Sequence, residues 1–173
     1  MVIKRFFNKQ NKTCLIIYYD NQTSHQLRHR EDGPALILQD MLGNIILEKW
    51  YYNDLLHRDD GPAVVIHQVD ECPYHKDEWY FYGKAKRLEE WYQNGERHRQ
   101  GGAAIISYDA AGNVLYEKWF QKGIIHREEG PAFKEYQPEK ELVREIWYQW
   151  GKIHRDGEPA VIIYLDGVIE VEE

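Results

Sequence analysis

The dipeptide His-Arg recurs at 29–30, 57–58, 98–99, 126–127 and 154–155, so the intervals between its histidines are 28, 41, 28 and 28 residues. Each copy opens a related heptapeptide: HREDGPA, HRDDGPA, HRQGGAA, HREEGPA and HRDGEPA. Seven residues before His stands a tryptophan in four of the five, Trp50, Trp91, Trp119 and Trp147. An aromatic follows each (Tyr51, Tyr92, Phe120, Tyr148), and an acid lies two positions before it (Glu48, Glu89, Glu117, Glu145). A fixed period of this size means one supersecondary unit repeated, each burying its apolar side against its neighbours. The 173 residues are therefore expected to form a single repeat domain. Its units are a worn N-terminal one over 1–44 and four more over about 45–70, 71–112, 113–140 and 141–173.

The unit reads as β. Ile45–Tyr52 is an aromatic and β-branched run, the pattern of a strand. Asn53-Asp54 follows, matched by Asn94-Gly95, Lys122-Gly123 and Trp150-Gly151, where a glycine supplies the positive φ of a two-residue hairpin turn. Leu55–His57 starts the return, Asp59–Pro62 interrupts it and Ala63–Ile66 continues it. Proline removes a ladder donor, so the interruption is expected to be a bulge or a sharp bend. A second turn closes the unit at Gly43-Asn44, Gly112-Asn113 and near Asp166-Gly167. The expected fold is all-β: tandem hairpins in an elongated, twisted, single-layered antiparallel sheet. A two-residue turn at 53–54 sets Trp50 opposite His57 and Lys49 opposite Arg58. A one-residue bulge would bring Glu48 to Arg58 instead, and electrostatics favours that register.

Two units depart from the pattern. The interval of 41 exceeds the period by 13, and Trp79, Tyr80 and Gly83 sit there at the normal offsets, with Lys86-Arg87 where His-Arg belongs. It reads as a degenerate extra half-unit lacking its Gly-Pro-Ala return. In the first unit no Trp precedes His29, and Tyr18-Tyr19 are expected to take its place from a longer loop. Terminal units of repeat arrays are commonly atypical because they cap an exposed end.

Trp91-Tyr-Gln-Asn-Gly95, followed by His98, resembles a MORN repeat, in the variant form of bacterial antitoxin-like and viral proteins. The resemblance covers about residues 45–167. It departs from the standard repeat in its longer unit and in carrying His-Arg-x-x-Gly-Pro-Ala. It implies an elongated sheet used as a scaffold for protein or lipid contacts, and fold analogy alone does not name a function.

The candidate chemistry follows the period. Histidines two strands apart lie roughly 9–10 Å from one another, too far to share one metal ion. His57, His98, His126 and His154 with Trp50, Trp91, Trp119 and Trp147 are therefore assigned to structure, and no metal or cofactor is expected. Arg58, Arg127 and Arg155, like Arg30, are followed by acids and are expected to be self-neutralised. Arg99 is the exception, since Gln100-Gly101 replace its acids and Lys84, Lys86 and Arg87 precede it. It is the best local candidate for an anionic ligand. Adjacent aromatics point to opposite faces of a strand, and a single layer buries neither face well; an exposed aromatic face is an interaction surface or pure packing.

Catalytic signatures are missing: there is no Gly-x-Ser-x-Gly, no P-loop and no His-Glu-x-x-His. Cys72-Pro73-Tyr74-His75 is the one non-repeating Cys/His cluster, without a visible base-orienting partner. The insertion Gln68–Glu78 is the first candidate for a partner-specific loop, so Tyr74, His75 and Trp79 join Arg99, Lys86 and Arg87 as binding candidates. A net charge of −7 argues against nucleic acid. No apolar run reaches the roughly 20 residues that span a bilayer, and two cysteines suggest no disulfide framework. A cytoplasmic, non-enzymatic scaffold that binds another protein, as an inhibitor or immunity factor does, is the expectation. The alternative is capture of an anionic small ligand, a nucleotide or a lipid headgroup.

Overall fold

The computed structural model of the chain describes residues 1–10, 12–20, 27–67, 87–137 and 142–165, and the backbone of 168–172. Its regular elements are strands throughout. In the first units they are β1 (Val2–Asn8), β2 (Thr13–Tyr19), β3 (Leu36–Asp40), β4 (Ile45–Lys49), β5 (Tyr51–Tyr52), β6 (Leu55–Leu56) and β7 (Val64–Ile66). The middle holds β8 (Arg87–Glu90), β9 (Tyr92–Gln93), β10 (Glu96–Arg97), β11 (Ile105–Tyr108), β12 (Val114–Lys118), β13 (Phe120–Gln121) and β14 (Ile124–Ile125). The last units add β15 (Phe133–Tyr136), β16 (Leu142–Ile146), β17 (Tyr148–Gln149), β18 (Lys152–Ile153), β19 (Val161–Leu165) and β20 (Val168–Glu172).

Twelve of these strands form one antiparallel sheet in the order β1-β2-β3-β4-β7-β8-β11-β12-β15-β16-β19-β20. At about 4.8 Å per strand the sheet is roughly 50 Å wide, against about 16 Å for a five-residue strand. The remaining strands pair as four two-stranded hairpins, β5-β6, β9-β10, β13-β14 and β17-β18. The all-β meander of hairpins expected from the repeat is thus the fold. Between β7 and β8 the sheet has no intervening strand: Val64 pairs Glu90 and Ile66 pairs Leu88 directly. The 13 extra residues belong to that connection, and the half-unit expected at Trp79–Gly83 lies outside the described residues.

The tryptophan is where one strand becomes two ladders. Trp50 N–H donates to Ala63 O at 2.8 Å in the long hairpin, while Trp50 O accepts from His57 N–H at 3.2 Å in the short one. Trp91, Trp119 and Trp147 repeat both bonds, with Ala104, Ala132 and Ala160 on one side and His98, His126 and His154 on the other. Tyr18 takes this place in the first unit, donating to Ala35 O at 2.8 Å and accepting from His29 N–H at 3.3 Å. Residues 58–62 loop out between the two ladders, where proline's missing donor costs nothing. The short hairpin keeps the plain two-residue register, Tyr51 with Leu56 and Tyr52 with Leu55, so Trp50 faces His57. The favoured one-residue shift toward Glu48–Arg58 is not adopted. A bulge lies elsewhere: Leu38 pairs Leu47 but Gln39 pairs Ile45, which leaves Ile46 as the extra residue, and Leu115 repeats this in β12.

A bulge sets two successive side chains toward one side. Ile46 with Leu47, and Leu115 with Tyr116, are accordingly buried together in a core that includes Leu36, Leu38, Val64, Ile66, Leu88, Ile105 and Phe133. Tyr51, Leu56, Tyr92, Phe120 and Tyr148 of the short hairpins pack against the same core. One face is therefore well buried, contrary to the expectation for a bare single layer, because the short hairpins leave the sheet at each tryptophan and bring their aromatics back to it.

The short hairpins also lock onto one another. Both turn residues have positive φ, 50° at Asn94 and 84° at Gly95, the type I′ geometry that follows the strand twist. Gly95 N–H donates to Leu56 O at 2.8 Å, and Gly123 to Arg97 O and Gly151 to Ile125 O at 2.9 Å each. Asn94 N–H donates to His57 Nδ1 at 3.2 Å, Asn53 to His29 Nδ1 at 3.4 Å and Trp150 to His126 Nδ1 at 3.3 Å. His29, His57 and His126 are thus acceptors for the next unit's turn.

Candidate functional site

The heptapeptide builds a clamp. The guanidinium of Arg58 lies over the Trp50 ring at 4.2 Å, Arg99 over Trp91 at 3.9 Å, Arg127 over Trp119 at 4.2 Å and Arg155 over Trp147 at 4.0 Å. Arg30 lies over Tyr18 at 4.4 Å, so Tyr18 does supply the missing aromatic of the first unit. Arg58, Arg99, Arg127 and Arg155 then each donate Nη1 to the carbonyl four residues on, in Arg127 to Pro131 O at 3.2 Å and in Arg99 to Ala103 O at 3.2 Å. The other side of the guanidinium rests on the motif's glycine. A Cβ on Gly61 would stand 2.9 Å from Arg58 Cζ, and one on Gly102 3.0 Å from Arg99 Nε. Four of the five copies place glycine three after the arginine, which leaves room for the guanidinium; in the fifth Glu158 stands there and Arg155 still lies over Trp147, so the glycine eases the closure without being required for it.

The acid two before each tryptophan has a partner that sequence reasoning missed. Tyr108 OH donates to Glu89 at 3.0 Å, Tyr136 to Glu117 at 2.9 Å and Tyr164 to Glu145 at 2.8 Å, each 19 residues on. His67 takes the tyrosine's place opposite Glu48 at 3.0 Å. The signal was a column nine positions after each arginine. Burial, and then the neighbouring carboxylate, push the Tyr108 phenol up to about 12 and raise Tyr136 and Tyr164 as well. Glu90, next to Trp91 and 1 % exposed, accepts from Tyr92 OH at 2.7 Å and lies 3.5 Å from Arg97 Nε.

Successive loops leave furrows between them, each lined by one loop and the next unit's tryptophan, His-Arg pair and acids. In the furrow of units one and two, Arg30 and Arg58 each place Nε 2.8 Å from Asp32 and Asp60. Those guanidiniums hold the two carboxyls below the usual carboxylate range. Arg155 is paired with Glu158. The expected self-neutralisation holds for these three. Arg99, as expected, has no carboxylate partner among the described residues. Arg127 has none either, although Glu128 and Glu129 follow it; it contacts the Trp119 ring and Pro131 O. Both line one furrow, with Trp119, His98 and His126.

Of the other binding candidates, Arg87 opens β8 and lies 2.5 Å from Glu89, at the opposite end of the strand from the Trp91 on which Arg99 lies. Arg87 and Arg99 have no direct contact, but the charges of both reach the Tyr108 phenol. Lys86, Tyr74, His75 and Trp79, with Cys72 and the rest of Gln68–Glu78, lie outside the described residues. Among the described residues no three His, Cys, Asp or Glu side chains converge to hold a metal ion, and no helix is long and apolar enough to cross a membrane. Comparison with protein-family models, with curated proteins and with solved structures finds no match.

Proposed function

We propose that this chain is a non-catalytic scaffold that binds a partner protein, in the manner of an inhibitor or immunity factor, and that the partner adds an extended segment along β1. The recurrent His, Arg, Trp and Glu residues are engaged within the fold, which supports a role that rests on shape and surface. The observation that carries the reading is the first strand. The sheet order ends at β1, and Ile3, Phe6 and Phe7 there are 47 %, 50 % and 67 % exposed. Tyr18 turns its amide and carbonyl toward Ala35 and His29, away from β1, so its partner Ile3 turns its own outward. Alternation puts Arg5 and Phe7 outward too, a row of ladder groups ready for an added strand. Lys4 and Arg5 suit a segment that mixes apolar and acidic residues.

Arg5→Pro tests this. It removes an outward donor without touching the β1–β2 ladder, a position where an edge strand tolerates proline. With a stoichiometric partner identified and purified, affinity for the folded variant should fall at least about tenfold. Unchanged affinity overturns the reading. So does a light-scattering mass of two copies of this chain that Arg5→Pro returns to one, since the occupant of the edge is then the chain itself.

A further inference from the structure

We propose that the furrow between Arg99 and Arg127 binds a phosphate group. This site is separate from strand addition at β1 and stands without it. Among the five repeated arginines, these two alone are without a carboxylate partner, and they line the same furrow. A guanidinium has five N–H donors. The Trp119 and Trp91 rings cover one face of each, and one donor of each is spent on the loop carbonyl, of Pro131 and of Ala103. The remaining edges form the planar forks that match phosphate oxygens.

The histidines add to this. His126 Nδ1 accepts the Trp150 N–H, so in the neutral ring the proton is on Nε2. In the other units that nitrogen has an acid two residues on: Asp59 at 3.2 Å from His57, Asp156 at 3.0 Å from His154 and Glu31 at 3.9 Å from His29. His126 is 6 % exposed and its Nε2 has no partner. In His98, Gln100 stands where the acid would be. The furrow thus has an unmet imidazole donor beneath its lining as well as unpaired charge. Glu128 and Glu129 line the same furrow but are exposed, and water screens them. Phosphate, with its several oxygens, fits two guanidiniums and an imidazole better than a monodentate ion does.

The test is calorimetric titration with inorganic phosphate at constant ionic strength, comparing the whole chain with Gln100→Asp. Gln100 is exposed, and the variant installs the acid that the units at His57 and His154 already carry, which leaves the clamp intact. Saturable binding on the order of 1 mM is expected, weakened at least tenfold in the variant at unchanged melting temperature. Vesicles of phosphatidylcholine, with and without phosphatidic acid, separate the sources. Retention on the acidic vesicles that phosphate displaces and Gln100→Asp abolishes assigns a lipid headgroup. Phosphate binding without vesicle retention assigns a soluble phosphate compound. No binding at tens of millimolar, or equal affinity in the variant, overturns the proposal.

Discussion

Gly61 is the position where the clamp can be measured. A Cβ there would meet Arg58 Cζ at 2.9 Å, Nε at 3.1 Å and Nη1 at 3.2 Å. The guanidinium cannot retreat, because the Trp50 ring is 4.2 Å away on its other side. Gly61→Ala therefore displaces Arg58 from the stack, unless the loop takes up the path of the last unit, where Glu158 stands at this position and Arg155 keeps its ring. What is lost is the cation–π contact, about 0.5–2 kcal/mol, and a long hydrogen bond to Pro62 O, about 0.5 kcal/mol. The ion pair to the exposed Asp60 is screened and left out of the sum. Gly61 does not have positive φ, so alanine also stiffens the unfolded chain, a gain of about 0.4–1 kcal/mol. Urea unfolding should show a net loss of at most about 2 kcal/mol. In an Arg58→Ala background the clash is gone, and Gly61→Ala should become neutral or stabilising. An equal cost in both backgrounds would refute the clamp. Gly130, with φ of 107°, is the contrast: alanine there is strained whether or not Arg127 is present.

Three further outcomes are expected. Tyr108 has its phenol raised from 10.0 to about 12, so its neutral form is favoured in the folded state. The stability this provides is present below pH 10 and is lost as pH rises toward 12; Tyr108→Phe should flatten that part of a urea-midpoint against pH curve. Gly95→Ala and Gly43→Ala both incur about 1–2 kcal/mol of left-handed strain, but only a Cβ at 95 meets a neighbouring unit, Leu55 Cδ2 at 3.3 Å. A larger loss at 95 in chemical denaturation measures the docking of unit on unit. Glu90→Ala should cost about 1–3 kcal/mol by removing the acceptor of the Tyr92 hydroxyl and one charge partner of Arg97, whereas Glu90→Ile with Arg97→Leu should recover part of it. Ile146 already occupies the first position in the last unit and Leu56 the second in an earlier one.

The strand class, both turns and the facing of His57 and Trp50 were legible because they rest on local chemistry repeated at a fixed offset. The register at Arg58 was misjudged because its two candidate partners were weighed as charges. The aromatic ring of its own unit lay closer, and the glycine three residues on left room to reach it. The bulge at Ile46 carries no Gly or Pro to announce it, and one extra apolar residue in an apolar run is invisible until the partner strand is known. The partner of Glu89 lies 19 residues away, on a different strand, and only an overlay of whole units brings Tyr108 into view. Arg99 stood out by losing its acids. Arg127 did not, since Glu128 and Glu129 follow it in sequence, and where an exposed carboxylate points is set by loop geometry.

The bond from Asn94 to His57 spans 37 positions, while its counterparts from Asn53 and Trp150 span 24, yet all three have nearly the same length. The 13 extra residues between the second and third His-Arg pairs have thus been taken up at the margin farthest from the tryptophans. Lengthening the link from five residues, 109–113, to twenty, 67–86, costs only about 1.2 kcal/mol of closure entropy, some 0.6 kcal/mol per doubling. A protein built this way can acquire new sequence at any of its far connections while the tryptophan margin stays in step. Between arginine and the proline position, by contrast, all five copies keep the same four-residue step.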